Sequence, residues 1–136
     1  MQFHPNELLI YFDPATPTGK KTLAYGSSIS NNQNALNWNK VKLTATLWKE
    51  VVNLLGLRPK DLLNRSHPEY QAKVRGGTFN MTGWLEILAK NPQLLRAPIA
   101  IYRNKAVLCI RPQDILKLDE NHNRMRKVLP HLRHTV

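Results

Sequence analysis

The stretch from Asn91 to Leu118, NPQLLRAPIAIYRNKAVLCIRPQDILKL, constrains the fold more than any other part of the chain. Asn91-Pro92 ends a helix, because the residue before a proline avoids the helical backbone. Ile99 to Tyr102 and Ala106 to Ile110 are short runs of strand formers separated by Arg103-Asn104-Lys105. Asn tolerates a left-handed backbone, so the two runs read as a tight antiparallel hairpin. Pro98 sits at the mouth of the first strand, where a missing N–H costs no ladder bond, and its X-Pro bond is a candidate cis peptide. Beyond the hairpin, Arg111-Pro112 starts a helix with proline in its first turn, followed by the apolar Ile115, Leu116 and Leu118.

Upstream, Glu7 to Phe12 is an apolar run of strand length, as expected of a strand buried on both faces. Asp13-Pro14-Ala15-Thr16-Pro17 ends it, and Thr16 or Thr18 can cap a helix from about Gly19 to Ile29. A polar break over Ser27 to Asn34 leads to a second strand, Ala35 to Trp38, parallel to the first in a βαβ unit. Thr44 opens a helix whose apolar face carries Leu47, Val51, Leu54 and Leu55, and Gly56 stops it. Short helices follow at Pro59 to Leu63 and from His67-Pro68 to the Gly76-Gly77 loop. Asn80 or Thr82 caps the next, which carries Trp84, Leu85, Ile87 and Leu88.

A chain of 136 residues is expected to form one domain over residues 1–120, with residues 121–136 as a basic, loosely ordered tail. No apolar run is long enough to cross a membrane and no secretory signal opens the chain, so a cytoplasmic protein is expected. The formal charge of +11, from 20 Lys+Arg against 9 Asp+Glu, favours anionic partners without naming one. Sequence-specific nucleic-acid binding is not expected, because aromatic and basic residues do not interleave as on a base-stacking platform. The single cysteine, Cys109, excludes an internal disulfide and a CxxC pair, and its place in the second hairpin strand points to core packing. His122, His131 and His134 fall in the tail, which offers a metal no fixed geometry; neither a metal nor a cofactor is expected. Trp38, Trp48 and Trp84 fall within elements and are expected to pack.

Taken together, several segments resemble the arsenate reductase (ArsC)-like branch of the thioredoxin superfamily, which also contains the Spx-type transcriptional regulators. They are Tyr11-Phe12-Asp13-Pro14-Ala15, the run Gly56 to Asn64, the run Trp84 to Ile101 and Arg111-Pro112. The resemblance implies an α/β, thioredoxin-like (glutaredoxin/ArsC-type) fold: a four-stranded mixed sheet flanked by helices, a helical insertion between Thr44 and Asn91, and a cis Pro98.

The departures from that pattern bear on function. In the reductases a cysteine occupies the start of the first helix, where the dipole and free N–H groups stabilise its thiolate. The resemblance places Thr16 there, and a threonine hydroxyl cannot act as a thiolate near neutral pH without a strong adjacent base. Asn64 and Ala97 stand where the family keeps two arginines for the oxyanion, with Arg65 and Arg96 adjacent, while Arg111 matches the third with a one-residue offset. The Spx-type CxxC positions are Thr16 and Gly19.

Thr16, Thr18, Gly19 and Lys20, with Arg65, Arg96 or Arg111, are thus candidates for holding a small oxyanion; the alternative is that Thr16 and Thr18 only cap the helix. Gly19-Lys20-Lys21-Thr22 lacks the spacing of a nucleotide-binding loop. Two readings follow. One is a catalytically degenerate ArsC-like domain acting as a protein-interaction or regulatory module without thiol redox chemistry, with RNA polymerase as partner by analogy to Spx alone. The other is an anion-binding or reductase-like enzyme with a non-cysteine site at the first helix.

Overall fold

A computed structural model describes residues 6–119. The strand β1, Leu8–Phe12, is buried along its whole length and is the axis of the fold. Its side chains alternate, as strand geometry requires. Leu9 and Tyr11 enter a core that also holds Trp48, Val51, Leu85 and Leu88, whereas Leu8, Ile10 and Phe12 enter a second core with Ala100, Cys109 and Ile115. A strand with two dry faces leaves no position for a charged side chain, which is why LLIYF contains none, and its one polar group, the Tyr11 hydroxyl, donates to the Val41 carbonyl.

The sheet has four strands in the order β2-β1-β3-β4, with β2 at Gln33–Asn37, β3 at Ile99–Tyr102 and β4 at Lys105–Leu108. β2 runs parallel to β1 in the register Leu8 opposite Gln33, while β3 is antiparallel to both β1 and β4. The mixed sheet expected from the resemblance is therefore present. β2 begins two residues before the expected Ala35. It is an edge strand with half-exposed side chains, so its limits follow from main-chain pairing with β1, and no hydrophobic pattern marks them.

The helix α1, Pro17–Gly26, crosses between β1 and β2. It starts at the proline, which serves as N1, and stops at Gly26, so the expected span from Gly19 to Ile29 is shifted toward the N-terminus. Gly26 lies tight against Leu8, Ile10 and Ile115, each within 3.3 Å of where a Cβ would stand. Helix α2, Ala45–Leu55, is capped by Thr44, whose hydroxyl accepts from the Leu47 N–H at 3.2 Å, and closes on Gly56 at φ +66°. Helices α3, Pro68–Lys73, and α4, Met81–Lys90, complete the insertion, and α4 packs on α2. Trp38 and Trp48 are buried against Tyr11, while Trp84 is half-buried edge-to-face on Phe79.

The hairpin turn is tighter than expected. Arg103 at φ 49° and Asn104 at φ 62° form a two-residue loop, and Lys105 pairs with Tyr102 in the ladder. Two successive left-handed residues give a turn whose twist matches the strands, so the strand starts one residue sooner. β4 ends at Leu108, and Cys109 lies just past it with its N–H donating to the Pro98 carbonyl at 2.7 Å. A 3₁₀ helix, Pro112–Leu118, follows and packs on α1.

The expectation of a cis Pro98 is corrected: no cis peptide bond occurs among the described residues. The extended backbone before Pro98 is held by an antiparallel bridge between Leu63 and Leu95 and by the Arg96 N–H on the Leu62 carbonyl. The trans bond, the intrinsically favoured isomer by about 0.5–1 kcal/mol, suits that geometry. Among the described residues no helix is long and apolar enough to cross a membrane. The expected basic tail at 121–136, with its three histidines, lies outside the described residues.

Candidate functional site

The C-terminal end of β1 and the start of α1 face two chain segments that meet there. Leu62-Leu63-Asn64 runs beside Leu94-Leu95-Arg96 as a short antiparallel ladder, with Asn64 N–H on the Leu94 carbonyl at 2.7 Å and Arg96 N–H on the Leu62 carbonyl at 2.9 Å. The ladder brings together residues that lie about thirty positions apart, and its buried leucines anchor it. Two open recesses flank it. The smaller, about 340 Å³, is bounded by Thr16, Thr18, Trp38, Asn64, Arg96 and Pro98, with Asp13, His67, Gln93, Leu95 and Ala97 completing it. The larger, about 420 Å³, is bounded by Lys60, Asp61, Leu63, Asn64, Arg65 and Arg96.

Thr16 is the N-cap of α1. Its hydroxyl donates to the Asp13 carbonyl at 2.8 Å and accepts from the Gly19 N–H at 3.1 Å. Both functions of the hydroxyl are thereby used, and so is the Gly19 donor. Pro17 has no N–H, which leaves the Thr18 N–H as the one first-turn donor without a partner among the described residues. Gly19 is buried, and a Cβ there would stand 2.4 Å from the Asp13 carbonyl oxygen. The residue is therefore explained by a close approach of helix and strand end.

Of the remaining candidates, Thr18, Arg65 and Arg96 border the recesses, with Asn64 and Ala97 at the positions expected to hold arginines. Asn64 uses its side-chain oxygen to accept from the Ser66 N–H at 3.0 Å. Lys20 and Arg111 border neither recess. Lys20 is exposed on α1, one helical residue past the part that faces inward, and Arg111 is held by Asp114 at 3.3 Å, with Lys117 on the same carboxylate at 3.7 Å. The seven-residue cradle expected from the sequence is thus split: Thr16 and Thr18 border the smaller recess and Arg65 the larger, Arg96 borders both, Gly19 serves the helix, and Lys20 and Arg111 lie elsewhere.

Four residues at the site were not singled out by sequence. Asp13 accepts from Ala15 N–H at 2.9 Å and from the Asn39 amide at 3.3 Å, and it places a negative charge beside the helix start. His67 caps α3 through Nδ1, which accepts from the Glu69 N–H at 3.1 Å, so its Nε2 carries the proton in the neutral ring. Gln93 donates to Glu69 at 2.6 Å and holds that carboxyl below the usual carboxylate range. Lys60 adds a third cation to the larger recess. His67-Pro68 with Glu69 was readable as a helix start, but nothing local placed any of the four beside Arg96.

The thiol is remote in character. Cys109 is fully buried among Leu8, Ile10, Ile115 and Leu118, and burial, reinforced by the Asp114 charge, pushes it up to about 12. Such a thiol is not a thiolate at physiological pH. Among the described residues no group of three or more His, Cys, Asp or Glu side chains is placed to hold a metal ion.

No protein-family model and no curated protein sequence matches the chain. Solved structures do. The arsenate reductase from Vibrio cholerae superposes with a TM-score of 0.76 at 17% identity, over 85% of this chain and 99% of its own. An arsenate reductase (ArsC) related protein from Brucella melitensis superposes with a TM-score of 0.60 at 14% identity, over 88% of this chain and 99% of its own. Likeness at such low identity carries the architecture, and on that ground the chain has an ArsC-like fold of the thioredoxin type.

Proposed function

We propose that this protein is a thioredoxin-type domain without thiol redox chemistry that acts as a protein-interaction or regulatory module. The observation that carries the reading is the saturated hydroxyl of Thr16: at the helix start where the reductases keep a nucleophile, this side chain is spent on the cap. The buried Cys109 supplies no substitute. An exposed group of cations beside the ladder gives the surface something to recognise with.

The test is a coupled assay of the purified protein with arsenate, glutathione and glutaredoxin. No turnover above the protein-free blank is expected, and turnover that vanishes in Cys109→Ser overturns the reading. Thr16→Cys alone should not restore reduction, because Asn64 and Ala97 leave the oxyanion without two of the arginines the reductases use; arsenate turnover by that single variant would contradict this.

A second reading, a small-anion site, is favoured by Thr18, Asn64 and Arg96 bordering one recess. Asp13 in the same recess opposes it by like charge. Melting temperatures with phosphate, sulfate, arsenate and glutathione at fixed ionic strength decide, since a ligand of the native state must raise them. A rise in wild type that Arg96→Ala abolishes would put this reading first.

A further inference from the structure

Arg96 borders both recesses, and so does Asn64, so the two form one open groove with unlike ends. At one end Lys60, Arg65 and Arg96 are all exposed, and none has a salt-bridge partner among the described residues. The acidic residue at that end, Asp61, is engaged on both oxygens by Arg58, with Nε 3.2 Å and Nη2 3.3 Å away, so the surplus charge is positive. At the other end the lining is mixed: Trp38, Leu95, Ala97 and Pro98 form a buried apolar floor beneath a polar rim of Asp13, Thr16, Thr18, His67 and Gln93, and the Asp13 carboxylate keeps further acidic groups away from this end.

We propose that this groove binds an extended acidic peptide of a partner protein, seating an acidic side chain on Lys60, Arg65 and Arg96 and an apolar one in the recess over Trp38 and Pro98. Residues i and i+2 share one face of an extended chain, so the recognised pattern is an acidic residue two positions from an apolar one. The groove is open along its outer side, whereas small-molecule sites enclose most of their ligand. Three cations on long side chains suit a strand that supplies several contacts and steer it electrostatically. The ladder fixes the backbone of Asn64 and Arg96, the two residues at the junction. The inference rests on the interaction-module reading for the kind of partner and requires nothing of Thr16.

The probe is a fluorescein-labelled peptide, Gly-Glu-Ser-Leu-Glu-Ser-Leu-Gly, followed by anisotropy with the full chain at two salt concentrations. Saturable binding that weakens with salt is expected, with at least a tenfold loss in Lys60→Ala/Arg65→Ala and in Arg96→Ala, and none in Lys21→Ala; circular dichroism checks that each variant is folded. A peptide with glutamine in place of its acidic residues, and one with serine in place of its leucines, should each bind at least tenfold more weakly. Equal binding by either peptide, or binding unchanged in the Lys60/Arg65 and Arg96 variants, overturns the proposal. So does displacement by free citrate at the peptide's own affinity, which would make the site one for small anions. Failure here with a blank thiol assay leaves the thiol-free reading standing, whereas thiol turnover removes that reading whatever the peptide does.

Discussion

The start of α1 and the cationic end of the groove lie on either side of one small ladder, yet they are built on opposite principles. At the helix start the polar groups are nearly all spoken for: the Thr16 hydroxyl, the Gly19 N–H and the Asp13 carbonyl satisfy one another, the Thr18 N–H alone is left over among the described residues, and at Gly19 there is no space for a single extra carbon. Around Arg96 the backbone is equally well bonded but the side chains are left over, with three cations facing solvent. The first arrangement contributes stability and presents little. The second contributes little stability and presents charge, which is what a recognition surface requires.

The contrast should appear most strongly in alkaline solution, where the buried half gives way first. Tyr11, pushed up to about 12 by burial, and Cys109, pushed up to about 12, are both neutral in the fold. Their unfolded counterparts titrate near 10 and 8.5, so above those values the unfolded chain binds fewer protons and stability falls. The urea midpoint should hold up to about pH 8 and decline toward pH 12, and Cys109→Ala should flatten that decline. A midpoint flat to pH 12 would show these groups to be solvated.

Next in size is Gly19→Ala. A Cβ 2.4 Å from a backbone oxygen cannot be relieved by a side-chain rotation, so a loss of about 1–3 kcal/mol is expected, read as a drop of several degrees in melting temperature. Thr16→Ala removes the cap and should cost about 1 kcal/mol, while Thr16→Ser, which keeps the oxygen, should cost less. The smallest effects belong to the cationic end of the groove: Lys60→Ala, Arg65→Ala and Arg96→Ala should each stay within about 0.5 kcal/mol by urea denaturation. A variant of Lys60, Arg65 or Arg96 as costly as Thr16→Ala would erase the distinction between the two regions.

Elements governed by local chemistry were legible in the sequence. The unbroken LLIYF, the Thr44 cap with Gly56 behind α2, and the turn around Asn104 each announce themselves within a few residues. The cap role of Thr16 was legible for the same reason. What could not be read was set by distant partners. β2 owes its limits to β1, and the ladder that sets the site pairs Leu63 with Leu95, far along the chain. The candidate cradle divided because Lys20 and Arg111 carry suitable charge at the wrong point of their elements, while Lys60, which no local motif marks, borders the groove.

The ladder between Leu62-Leu63-Asn64 and Leu94-Leu95-Arg96 also sets when the groove can exist. Its two arms enclose α3 and α4, so it is a non-local pairing whose closure carries an entropic cost that the folded contacts must offset. A nascent or damaged chain has the same lysines and arginines but not their arrangement. Binding through this surface would therefore report that the two arms around α3 and α4 have paired, a reading of conformation that charge alone could not supply.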